Sequence, residues 1–199
     1  MGQEKIHVSV FQKAKKGNVY CGDSYFYTET KDEFVCALAD GLGSGEFAME
    51  SSQAVVDIIK ENKHTSVEEI VQKCNKVLIG KRGVVLGILK INFNTGMYSF
   101  SSIGNIGIMT VANDNKKSRN IPKSGYLGGF KRPIKVVNYK LQKGTSFIMF
   151  SDGVKDKELS QCFFKEKDVD SIISTYAQTT EKDRADDTTL IAMRYPDVK

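Results

Sequence analysis

At 199 residues, 40% hydrophobic and 27% charged, the chain is long enough to bury a substantial core, and a single domain over residues 1–199 is expected. No apolar run reaches the roughly eighteen residues that a membrane span needs, and the opening MGQEKIHVSV lacks the basic-then-apolar layout of a secretory signal; a cytoplasmic protein with no membrane partner is expected. The net charge of +5 is modest and its lysines are scattered through KAKKG, NDNKKSRN and GGFKRPIK instead of lining one helix face, which argues against a nucleic-acid partner.

Residues 5–12 (KIHVSVFQ) alternate Ile6, Val8 and Val10 with polar neighbours, the period of a strand with one buried face. A second strand is expected over 25–30. From Glu33 to Ala39 the chain is nearly continuously apolar, as in a strand covered on both faces, and it runs directly into Asp40 and the glycine-rich GLGSG. From Glu46 the apolar positions Phe47, Ala54, Val55, Ile58 and Ile59 recur at helical spacing until about Asn62. A second helix follows Ser66, whose hydroxyl makes a capping box with Glu69, and Val67, Ile70, Val71, Cys74, Val77 and Leu78 form its buried stripe. Strands are predicted over 83–93, 97–103 and 106–111, the first two joined by a turn at Asn94, Thr95 and Gly96, so their pairing is antiparallel. Further strands over 134–141 and 145–150, a helix over 169–177 and a last strand over 188–194 complete the pattern. The order predicts an α+β protein with helices packed outside its sheets.

Cys21, Cys36, Cys74 and Cys162 stand far apart with no CxxC pair, so neither a zinc site nor a disulfide framework is expected. His7 and His64 lack a partner at ligand spacing. GLGSGE is neither GxGxxG nor a P-loop, which leaves Gly43 and Gly45 as turn residues and Gly41 as a point of close backbone approach.

The chemistry rests on four aspartates at element edges: Asp23 in CGDSY, Asp40 in ADGLGSG, Asp152 in FSDGV and Asp186 in ADDTT. An Asp-Gly pair taken singly reads as a turn. Here both pairs follow a buried apolar strand and a small residue, in ALADG and MFSDG, and no alternating return strand follows either. Strand ends that deliver carboxylates to one edge gather like charges, which cations must neutralise. Oxygen ligands without histidine or thiolate favour magnesium or manganese.

The ordered set GD (22–23), ADGLGSG (39–45), SSIGN (101–105), SDG (151–153) and DDTT (186–189) resembles the type 2C, or PPM, family of metal-dependent protein serine/threonine phosphatases over nearly the whole chain. The resemblance implies a four-layer α-β-β-α sandwich of antiparallel sheets, and two divalent ions held by Asp23, Asp40, the Gly41 carbonyl, Asp152 and Asp186. Asp40 would bridge the ions, and Asp187 is an alternative ligand at the last position. CGDSYF, ADGLGSGEFAMESS, KRGVVLGILKINF and SGYLGG are similar to the small stand-alone phosphatases of bacterial stressosome signalling. That similarity implies phosphorylated stressosome scaffold proteins, RsbS- and RsbR-like, as partners. An anti-sigma-factor antagonist as substrate, or a non-catalytic phosphoprotein-binding module, are the alternatives. The chain departs from eukaryotic relatives in having no arginine in the first strand and no histidine at their general-acid position, and Lys81 and Arg82 read as surface charges before a strand.

Overall fold

The computed structural model describes residues 4–197. Its elements run β1 (His7–Lys13), β2 (Asp23–Glu29), β3 (Glu33–Gly41), α1 (Glu46–Asn62), α2 (Val67–Val77), β4 (Val84–Asn92), β5 (Met97–Ile103), β6 (Gly107–Val111), β7 (Lys117–Arg119), β8 (Val137–Lys140), β9 (Ser146–Phe150), α3 (Asp156–Leu159), α4 (Val169–Thr179) and β10 (Thr188–Arg194). Two five-stranded antiparallel sheets result, one ordered β1-β10-β9-β6-β7 and the other β2-β3-β4-β5-β8.

The period of a strand sends alternate residues to opposite faces, and β3 shows the consequence. Val35, Ala37 and Ala39 face α1 and α2, where they pack with Val55, Val56, Ile59, Ile70 and Cys74. Phe34, Cys36 and Leu38 face the other sheet and meet Ile108, Phe147, Met149 and Ile191. On the far side of that sheet, Met109, Ile148, Leu190 and Ala192 are covered by Phe164, Ile172 and Tyr176. The layers are therefore α-β-β-α, which matches the α+β class read from the element order and the sandwich that the family resemblance implies.

Local signals account for the starts of α2 and α4. Ser66 accepts from the Glu69 amide while the Glu69 carboxylate accepts from the Ser66 amide, which closes the capping box at α2. Asp168 caps α4 through the amides of Asp170 and Ser171. Two expectations change and two short elements are new. The strand expected over 134–141 shrinks to β8, because Pro133 and the residues after it leave the ladder and Ile134 and Val136 turn to the helix-side core. β7 and α3 are too short to leave a periodic trace. Phe47, placed among the apolar positions of α1, is 63% exposed.

Candidate metal centre

Antiparallel register brings the first two aspartates together, since Asp23 opens β2 directly opposite Asp40 near the end of β3. Face-to-face packing of the sheets brings the other pair, because Asp152 follows β9 and Asp186 precedes β10, neighbours in the second sheet. Hydroxyls join the two halves. Ser151 Oγ and Thr189 Oγ1 each donate to Asp23 Oδ2 at 2.7 Å, and the Thr189 amide donates to Ser151 Oγ at 2.9 Å. Gln12 Nε2 donates to both the Asp23 carbonyl and Thr189 Oγ1 at 3.1 Å.

The electrostatics are those of crowded anions. Burial pushes Asp40 up to about 8, and the negative charges of Asp23, Asp152, Asp186 and Asp187 add to the shift. Burial raises Asp23 to about 6 despite the two hydroxyl donors. Asp152 also moves upward, through burial and the Asp186 charge, against a hydrogen bond from Asn105. Asp23 Oδ1 is buried without a hydrogen-bond partner. A bare carboxylate oxygen inside a cluster of carboxylates is costly unless a cation faces it, so the residues fit divalent ions with oxygen ligands.

Among the described residues no three His, Cys, Asp or Glu side chains converge on one point at metal distance. Two of the four turn to protein groups: Asp152 Oδ2 accepts from Asn105 Nδ2 at 2.6 Å, and Asp186 lies 3.9 Å from Lys15 Nζ. Asp187 is buried and spent on the chain leading to β2, accepting from the Lys15 amide at 2.8 Å. Gly41 has a packing reason of its own, since a Cβ there would lie 2.0 Å from the Ala48 carbonyl of α1. Gly43 and Gly45, with φ of 101° and 75°, are the left-handed turn residues expected before the helix.

One buried arginine escapes any reading of local sequence. Arg184, 2% exposed, donates to Thr188 Oγ1 at 3.0 Å, to Glu158 Oε1 at 3.0 Å, to Tyr176 OH at 3.3 Å and to the Gly153 carbonyl. It therefore ties the Asp152 loop to the Asp186 loop. Burial pushes the Glu158 carboxyl up, but hydrogen bonds from Arg184 and the Lys155 amide outweigh it and hold the group below its ordinary range. Neither histidine joins the edge: His7 pairs with Arg194 at the opposite end of β1 from Lys13 and Thr188, and His64 lies 3.9 Å from Glu33. A cavity of about 810 Å³ lined by Ile6, Tyr27 and Phe34 includes none of the four aspartates.

The profile of the family described as Stage II sporulation protein E (SpoIIE) matches residues 30–196. The chain belongs to this family of PP2C-type phosphatases. It is 35% identical over 188 residues to phosphoserine phosphatase RsbX of Bacillus subtilis (strain 168), a match that covers 94% of each protein. It is 26% identical over 159 residues to Stage II sporulation protein E of Priestia megaterium, covering 75% of this chain and 27% of that protein. The crystal structure of RsbX in complex with magnesium superposes with a TM-score of 0.86 at 35% identity, covering 97% of this chain and 96% of the other. The phosphatase domain of SpoIIE from Bacillus subtilis shares the fold, with a TM-score of 0.79 at 20% identity over 98% of this chain and 64% of that one. None of the described helices is long and apolar enough to cross a membrane.

Proposed function

We propose that the chain, as a single catalytic domain, removes phosphate from phosphoserine or phosphothreonine in cytoplasmic stressosome scaffold proteins of the RsbS and RsbR kind. Two divalent ions, magnesium or manganese, would be held by Asp23, Asp40, the Gly41 carbonyl, Asp152 and Asp186. The observation that carries this reading is the unpartnered, buried Asp23 Oδ1 beside an Asp40 whose carboxyl is pushed up to about 8 by burial and by four neighbouring carboxylates. When bound, the ions supply a water that loses its proton near neutral pH and steady the phosphoryl oxygens.

The protein's own residues hold that arrangement. Ser151 and Thr189 fix one oxygen of Asp23 and leave the other free to face a cation. Asn105 orients Asp152, and Arg184 holds the turn behind it. Lys15, 3.9 Å from Asp186, offsets negative charge at the solvent side. Magnesium bound in the crystal structure of the 35% identical RsbX supports the choice of ion.

The test is phosphate release from a phosphorylated scaffold protein with manganese, with magnesium and with a chelator. Metal-dependent release is expected. Binding of the phosphoprotein with no release under any condition would instead make the chain a non-catalytic binding module, and release that survives the chelator would remove the metals from the reading.

A further inference from the structure

The rim of the carboxylate edge carries an apolar surface that folding does not explain. Leu42, Phe47, Ile79, Tyr126 and Phe130 are five of the eleven exposed large hydrophobic residues among those described, and Phe47, Ile79 and Phe130 are 63%, 70% and 75% exposed. They form one continuous strip. Arg82 donates to the Leu42 carbonyl at 3.3 Å and stands 5.4 Å from the Phe47 ring centre. Glycines allow the rest to meet: a Cβ at Gly83 would lie 2.4 Å from the Tyr126 ring and 2.7 Å from Leu42, one at Gly128 would lie 3.0 Å from Tyr126, and one at Gly129 would lie 2.7 Å from Ile79.

The strip is held outward by deliberate fastening. Leu127 enters the core and exchanges backbone hydrogen bonds with Val84 at 2.9 and 2.8 Å. The Asn75 side chain accepts from the amides of Gly128 and Gly129 and donates to the Phe130 carbonyl at 2.7 Å. Arg132 donates to the carbonyls of Ser124 and Tyr126. A segment tied down at this many points presents Tyr126 and Phe130 to solvent in fixed positions. Fixed aromatic side chains beside an arginine are the composition of an interface core.

Position and charge identify the occupant. Leu42 is two residues beyond Asp40 and Phe47 lies in the first turn of α1, so anything seated on the strip is continuous with the carboxylate edge. Among the described residues no carboxylate stands within ion-pair distance of Lys81, Arg82, Lys131 or Arg132, which leaves these four cations without acidic partners, although the exposed Glu46 and Glu50 of α1 flank Phe47. We infer that Phe47, Ile79, Arg82, Tyr126 and Phe130 form the docking surface for a folded phosphoprotein, its apolar surface on the strip and an acidic side chain near its phosphorylated residue against Arg82. The inference rests on the phosphatase reading above.

Two substrates and one binding measurement separate the possibilities. The Ile79→Ser/Phe130→Ser double variant alters solvent-facing side chains away from the aspartates. It should bind the intact phosphorylated scaffold protein at least about tenfold more weakly, and lose about as much in kcat/KM through KM. Its hydrolysis of p-nitrophenyl phosphate with manganese should stay within about twofold of wild type, which also reports that it folds. Unchanged affinity and turnover on the phosphoprotein would overturn the inference, and so would a parallel loss on both substrates. A wild-type dimer that the variant dissolves in sedimentation, with phosphoprotein affinity kept, would reassign the strip to a second copy of the chain. Wild type that cleaves neither substrate would fail the phosphatase reading alone, because the affinity comparison still decides the docking surface.

Discussion

Asp23 and Asp40 hang from paired strands inside one sheet, whereas Asp152 and Asp186 stand on the loops that leave β9 and enter β10 in the other. The first pair is held by backbone register and burial, and its cost appears as raised carboxyl pKa values of about 6 and about 8. The second pair is exposed and held by side chains: Asn105 on Asp152, Lys15 near Asp186, and Arg184 behind both loops. One half is thus stiffened by paired backbone and the other tethered by side chains, so substitutions in the two halves should fail in different ways.

The largest effect should come from the stiff half. Asp40→Asn removes the residue nearest the sum of the negative charges and, with several kcal/mol of charge stabilisation lost, turnover should fall by roughly a thousandfold or more. The same change should raise the melting temperature of the metal-free protein, because the cost of burying an ionisable carboxyl, and secondarily its repulsion by neighbouring carboxylates, is removed, and calorimetry with a chelator measures this. Near-normal turnover would sink the assignment.

A second effect appears in the pH dependence, where the buried pair contributes most. Asp23 and Asp40 hold their protons more tightly when folded than the ordinary carboxyl near 4 does when unfolded. Stability of the metal-free protein is therefore greatest below about 4 as far as these groups contribute, and is lost as pH rises through about 6 and then about 8. Urea titrations with a chelator should show that decline, and magnesium or manganese should cancel it. A metal-free stability that rose over the same window would contradict the crowding.

The tethered half should fail through its tethers. Arg184→Ala leaves the Glu158 carboxylate without its main partner and unties Gly153 from Thr188, a loss of about 3 kcal/mol in denaturation experiments. Asn105→Ala touches only the orientation of Asp152 and should weaken metal affinity by about tenfold, measured by calorimetric titration, with little change in stability. Equal stability losses from both variants would erase the distinction between holding a loop and aiming a ligand.

Local order was legible wherever a period or a cap was long enough to count. The alternation in KIHVSVFQ, the apolar run before Asp40, the capping box at Ser66 and the edge positions of the four aspartates all follow from neighbours a few residues apart, which is the range over which side-chain spacing carries information. By itself the sequence determined these elements and the residues of the motifs, the four edge aspartates among them. Tertiary structure alone decided that Ser151 and Thr189 grip Asp23 across 128 and 166 residues, that Arg184 is buried between two loops, that Asp187 is spent on the Lys15 amide, and that Phe47 faces solvent beside Arg82. Those outcomes depend on how two sheets stack and which loop ends meet. No local spacing encodes that, because the partners become neighbours only when the core between the sheets has formed.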